Sequence, residues 1–235
     1  MTIDAEMNRL KNATYPGRGI IIGQTPDGTC MVQIYWIMGR SPSSRNRVFV
    51  REGDAVKTDT VDKSQDVDPL TVYYPIRVLG NAHIVTNGDQ TDTIVHTLQN
   101  DGSFESALKT RTYEPDAPNF TPRISGLIDL GDAQAYRLSI LKTVGGDARY
   151  CSRQFFNYEI AIPGTGHCIT TYTDDGNPLP SFQGEPYAVE LFDDIQQTAD
   201  IFWNLLDEDN RVSLLVKFIH PKTSDLIIVN KYGSG

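Results

Sequence analysis

The feature that most limits what this chain can fold into is its punctuation. Short β-branched or aromatic runs follow one another, each closed by turn chemistry, and helical spacing breaks in at only two patches. Residues 17–23 and 30–37 read as strands joined through Thr25-Pro26-Asp27-Gly28, and 46–51 reads as a third. A second hairpin fits 73–79 and 83–85, turning at Gly80-Asn81. Strands return at 123–130, 134–142, 154–162 and 167–172, punctuated by Gly145-Gly146 and Pro163-Gly164, and end the chain at 212–219 and 226–229. Helical spacing fits 91–99, with Gln90, Thr91 or Asp92 as cap, and 103–111, capped by Ser103. A long amphipathic helix fits 187–206. Residues 52–68 and 173–186 read as surface loops, and Pro115, Pro118 and Pro122 forbid regular structure over 113–123. Hairpin runs with two helical patches predict an α+β protein: antiparallel sheets covered by helices on their outer faces, not a parallel βαβ sheet.

Composition narrows the function classes. The chain has 235 residues, 39% hydrophobic and 22% charged, enough for a substantial core, and a net charge of −9. That charge argues against nucleic acid as a partner and against a membrane surface, since both ask for a basic face. The first fifteen residues are polar and carry no signal-like apolar region, and no run reaches membrane-spanning length. A cytoplasmic protein is expected, with a polar lead-in over 1–14, a short helix at most and peripheral, before a single domain over 15–235. Cys30, Cys151 and Cys168 have no metal or redox spacing and read as reduced thiols. The histidines at 83, 96, 167 and 220 are scattered, so neither a catalytic metal nor another cofactor is expected.

Against this acidic background, no Asp or Glu occurs between Asp27 and Glu52, and the loop over 39–47 carries Arg40, Arg45 and Arg47 with Ser41, Ser43 and Ser44. A solvated basic loop would explain an isolated run of this kind. A phosphate site explains it too, because the guanidinium fork matches a phosphate bidentately.

Several blocks then fall in order: Tyr15-x-Gly17-Arg18, Gly39-Arg40-Ser41 with Asn46-Arg47, and Asn87-Gly88-x-x-Thr91-Asp92-Thr93-Ile94. Tyr113-Glu114-x-Asp116 with Asn119, Thr121-Pro122-Arg123-Ile124 and a late His220-Pro221 follow. This succession resembles the archaeal-type IMP cyclohydrolase family and its bacterial relatives, most specifically through the Asn-Gly-x-x-Thr-Asp-Thr-Ile and Thr-Pro-Arg-Ile blocks. The resemblance implies a four-layer αββα sandwich of the N-terminal-nucleophile hydrolase type, used without self-cleavage. It also implies closure of the second purine ring, from 5-formamidoimidazole-4-carboxamide ribotide to IMP and water. The chain departs from the family pattern in its lead-in before Tyr15 and in Phe120, which stands as an insertion between Asn119 and Thr121.

Such a ring closure is intramolecular and needs no covalent nucleophile. It needs the two arms held close, donors at the developing oxyanion, and proton transfer. On the resemblance, Arg40, Arg47 and Asn46 are assigned to the ribotide, the two arginines to its phosphate, with Asn87 and Thr91 at a strand-to-helix turn whose N–H groups could face an anion. Tyr73 is a candidate donor, Glu114 or Asp92 the proton-transfer carboxyl, and Arg123 a charge partner for a carboxylate. Each has a plainer competitor: Asp92 as a helix N-terminal carboxylate, Tyr73 as sheet packing, Glu114 as a surface residue, Arg123 as the partner of Asp116. A ribotide-binding protein without turnover and an amide hydrolase on the same fold remain open beside the cyclohydrolase. Thr2, exposed by removal of Met1, is a further nucleophile candidate, disfavoured because the first strand starts near Gly19. The sequence leaves open a homo-oligomer and a formyltransferase partner in the same pathway.

Overall fold

The two apolar runs flanking Thr25-Pro26-Asp27-Gly28 pair as expected. In a computed structural model describing residues 3–64 and 69–233, β1 (Gly19–Gln24) and β2 (Met31–Met38) form an antiparallel hairpin. A helix precedes them, α1 (Ile3–Asn12), and a one-turn helix, α2 (Pro42–Arg45), follows. The chain then builds β3 (Val48–Glu52), β4 (Ala55–Asp59), β5 (Ile76–Leu79) and β6 (Ala82–Thr86). Helices α3 (Gln90–Gln99) and α4 (Phe104–Lys109) lead to β7 (Arg123–Asp129), β8 (Tyr136–Val144) and β9 (Asp147–Tyr158). The last elements are β10 (Thr165–Thr170), β11 (Tyr187–Glu190), α5 (Ile195–Leu205), β12 (Arg211–Ile219) and β13 (Ser224–Asn230).

The strands make two sheets, with the order β11-β10-β1-β2-β12-β13 in one and an uninterrupted meander from β3 to β9 in the other. Every pairing between named strands is antiparallel. Alternation along the meander sorts its side chains. Val85, Ile124 and Ile140 join the core between the sheets, whereas Ile84, Leu127 and Leu141 turn outward onto Ile94, Phe104 and Leu108 of α3 and α4. On the other sheet, α1 and α5 bring Leu10, Ala199 and Phe202 into the main core. The layers are therefore αββα, as the resemblance implies. Gly126 lets the sheets meet closely, because a Cβ there would lie 2.5 Å from Ile22 Cδ1.

Four expectations need correction. The stretch over 187–206 is not one helix: Tyr187 and Val189 point inward as the edge strand β11, and α5 starts only after Asp194, whose carboxylate accepts from Gln197 N at 2.7 Å. Leu191 and Phe192, which share a helical spacing with Ile195 and Phe202, precede the helix. Residues 52–68 are not all surface loop, since β4 pairs with β3 and buries Val56 and Thr58. The lead-in is not peripheral either: Leu10 is 1% exposed, and the Arg9 guanidinium lies 4.4 Å from the Tyr187 ring centre. Finally, Asp89 occupies the cap position of α3, without a side-chain capping bond. Thr2 and residues 65–68 lie outside the described residues.

Register decides what meets at one end of the sandwich. Gly19 faces both Trp36 and Thr170, and Thr86 faces Ser125, so the start of β1 and the ends of β2 and β10 gather there, as do the end of β6 and the start of β7. The chain also crosses from one sheet to the other at that end, through the Arg-rich loop.

Candidate active site

The gathered strand ends enclose a cleft of about 390 Å³, lined by Tyr15, Arg18, Arg40, Ser41, Ser44, Arg47, Glu114, Asp116, Asn119, Thr121, Tyr172 and Leu179 among others. At its floor the Arg18 guanidinium grips Glu114 with both arms, Nη1 to Oε1 at 2.9 Å and Nη2 to Oε2 at 2.8 Å. Nη1 also donates to the Asn87 carbonyl at 2.8 Å. Glu114 is 3% exposed. Burial pushes its carboxyl up, against the pull of the Arg18 and Arg123 guanidiniums. Burial also works against the charge on Arg18, but Glu114 together with the Tyr73 and Tyr35 hydroxyls outweighs it and holds Arg18 well above the usual arginine value. The result is a buried, bidentate ion pair open to the cleft on one side.

Gly17 sets this geometry. Its φ is +73°, and a Cβ there would lie 2.3 Å from Thr171 Oγ1 and 2.6 Å from the Tyr172 ring, so only glycine carries the chain past this wall into Arg18. Gly88 is needed for a different reason than the one its Asn-Gly context predicts. It is not among the glycines with positive φ; instead a Cβ would lie 2.6 Å from Arg123 Nη1 and 3.2 Å from Glu114 Oε1.

Of the residues that the sequence singled out, Arg40, Arg47 and Glu114 line the cleft. Arg47 is anchored by Nε to Ser44 O and by Nη2 to Met38 O, each at 2.8 Å, which fixes its head at the rim. Arg40 stacks 4.8 Å from the Tyr15 ring centre and pairs with Asp175. The others serve the frame around it. Asn46 ties the loop to Asp62 through two backbone bonds, to Asp62 O at 2.9 Å and from Asp62 N at 2.7 Å. Asn87 is fully buried, donates to Pro122 O at 2.9 Å and accepts from Ile124 N at 2.9 Å, locking β6 to β7. Thr91 is buried against Gly88 O at 3.0 Å. The amides of Asn87, Gly88 and Thr91 are spent on Ile124 O, Thr86 Oγ1 and Gly88 O, so this turn does not offer them to an anion.

Asp92 stands apart from the cleft, exposed on the first turn of α3 with Arg77 at 3.5 Å; its place follows from helix phase, which points it outward. Tyr73 is buried, its hydroxyl 2.6 Å from that of Tyr35, and this hydroxyl pair acts electrostatically on Arg18 from behind. Arg123 pairs not with Asp116 but with Asp89 at 2.6 Å, and donates to Gln90 Oε1 at 2.7 Å. It faces a neighbouring cleft of about 550 Å³ shared with Arg111, Tyr113 and Phe120.

Arg18 lies in the Tyr15-x-Gly17-Arg18 block, but nothing in the sequence pairs it with Glu114 or brings Tyr172 to Thr121 and Asp116. Asp116 accepts from the Thr121 hydroxyl and, at 2.7 Å, from Thr121 N, and Thr121 Oγ1 lies 2.5 Å from Tyr172 OH. Phe120, in the left-handed region at φ +44°, makes the extra residue a local bulge, and Asn119 still lines the cleft with its side-chain Oδ1 accepting from Leu179 N at 3.1 Å. Among the described residues no group of three or more His, Cys, Asp or Glu could hold a metal, and no helix is long and apolar enough to cross a membrane.

The cleft thus combines an arginine rim, a hydroxyl chain and a buried carboxylate. Three archaeal proteins named IMP cyclohydrolase are similar to this chain. That of Methanopyrus kandleri is 35% identical over 119 residues, covering 49% of this chain and 59% of that protein. Those of Methanococcus aeolicus and Methanosphaera stadtmanae are 31% and 32% identical, each covering 49% of this chain and 58% of the relative. The alignments therefore span less than two thirds of these relatives' length. The family described as IMP cyclohydrolase-like protein matches residues 15–223, nearly the whole of the two sheets and every residue lining the cleft, and the chain belongs to that family.

Proposed function

We propose that this protein is an IMP cyclohydrolase, closing the pyrimidine ring of 5-formamidoimidazole-4-carboxamide ribotide to give IMP and water in purine biosynthesis. The observation that carries it is the buried Arg18–Glu114 pair at the floor of a cleft whose rim bears Arg40 and Arg47. The rim arginines take the 5′-phosphate, and Ser41 and Ser44 supply hydroxyls beside them. Glu114 accepts a proton from the carboxamide nitrogen as that nitrogen forms its bond to the formyl carbon. The formyl oxygen takes that proton back to become a hydroxyl, then takes the proton that the formamido nitrogen gives up as its C=N bond forms, and leaves as water. Arg18 keeps the carboxylate in place and positive charge beside the developing oxyanion. Along the wall of the cleft Tyr172 donates to Thr121 and Thr121 to Asp116, which fixes both hydroxyls with their lone pairs as acceptors. Since the formamido group is an N-formylated amine, an N-formylating reaction supplies the substrate.

Absorbance-monitored turnover of the ribotide tests this. Wild type should form IMP; Arg40→Ala should raise KM at least tenfold with kcat little changed, and Glu114→Gln should lower kcat by about 100-fold or more. The reverse pattern would overturn both roles. Tight ribotide binding with no turnover would reduce the protein to a binder, and ammonia release without IMP would make it an amide hydrolase.

A further inference from the structure

β2 begins about 20 Å from the cleft, and there the turns β3–β4, β5–β6 and β12–β13 surround a second cavity of about 230 Å³, lined by Asp54, Asn81, His83, His220 and Lys222 among others. Behind its wall lies Lys217, on β12 and 2% exposed, in the layer between the sheets. Its ammonium stands 3.1 Å from His83 Nδ1, and His83 is its one hydrogen-bond partner among the described residues. No carboxylate of those residues lies within ion-pair distance of it; Asp54 acts on it only at longer range.

An ammonium has donors only, so this contact makes Nδ1 of His83 the acceptor and puts the ring proton on Nε2. His83 is 8% exposed and lines the cavity, and its Nε2 has no hydrogen-bond partner among the described residues. A donor on a buried ring, with a positive charge behind it, therefore opens to the cavity without a protein acceptor, in a space that can hold a small molecule. The other histidine is already engaged: His220 has Asp225 Oδ2 at 3.1 Å from Nε2 and Cys30 Sγ at 3.2 Å from Nδ1. We propose that this cavity binds a small monocarboxylate, its oxygen accepting from His83 Nε2–H with Lys217 behind the ring. Volume keeps the ligand small, well under drug size. Asp54 on the lining sets the charge, because it opposes a second negative charge on the ligand and so disfavours phosphate dianion.

The test is a titration of the full-length protein, followed by long-range proton–nitrogen spectra of the histidine rings. Sodium formate, acetate, phosphate and chloride are compared at constant ionic strength. Formate or acetate should shift the His83 ring resonances saturably in the millimolar range, phosphate more weakly, and chloride not at all. Lys217→Met should weaken binding at least tenfold, and Asp54→Asn, on an exposed turn, should tighten it several-fold. Arg40→Ala should leave it unchanged, which separates this site from the cleft. Absence of a saturable His83 shift in wild type would overturn the proposal, as would phosphate binding more tightly than carboxylate or Asp54→Asn weakening binding.

Discussion

Arg18 fixes the carboxylate at the floor of the cleft and itself remains buried, so its removal costs more than one hydrogen bond. Arg18→Met would leave Glu114 charged and unpaired in a site that is 3% exposed. Breaking a buried pair from one side costs about 3–5 kcal/mol, whereas replacing both partners restores much of the loss. Arg18→Met should therefore lower the urea midpoint sharply, and Arg18→Met with Glu114→Gln should recover a large part of it. Equal midpoints for the single and double variants would show that the pair is not the coupled unit its geometry suggests. Arg40 and Arg47 differ in the same local way. Arg47 is fixed by two carbonyls, while Arg40 is held by the exposed Asp175 and the Tyr15 ring.

Among the elements, α1 shows how a polar segment becomes structural. Its composition is unremarkable, yet one apolar side chain, Leu10, enters the main core and Arg9 covers the rings of Tyr187 and Phe182. Leu10→Ala should cost about 2–4 kcal/mol by chemical denaturation, the range for truncating a buried leucine. A loss below about 0.5 kcal/mol, typical of surface sites, would mean that the helix is dispensable to stability. The edge strand β11 depends on the same contact, since α1 covers the Tyr187 ring that a helix over 187–206 would have aimed elsewhere.

Across the whole molecule, the layer between the sheets is apolar at its centre and carries Lys217 towards one end. Burial lowers the Lys217 ammonium to about 8, with Asp54 opposing that shift and Arg51 adding to it, and burial and Lys217 together lower His83 to about 4. In the unfolded chain the lysine titrates near 10.4. Between the two values the unfolded state binds more protons, so this group's contribution to stability rises as pH rises from about 8 towards 10. Lys217→Met should thus stabilise the protein most below pH 8, and its advantage over wild type in urea midpoint should shrink by pH 10. An advantage that does not vary with pH would show that Lys217 is not titrating in the fold.

The α+β class, most of the hairpins, the Ser103 cap and the blocks that carry the family are legible along the chain. Each of these is written in local spacing, turn residues or contiguous motif. Arg40, Arg47 and Glu114 are marked there too, and do line the cleft. That Glu114 meets Arg18, 96 residues away, that Asp92 points outward, and that Asn46, Asn87 and Thr91 brace the frame came from the packing of the two sheets. It alone brought His83 to Lys217, 134 residues away. The reason is register: periodicity says which face a side chain takes, but which strand ends gather at one end of a sandwich depends on sheet order and pairing, which no short window of sequence contains.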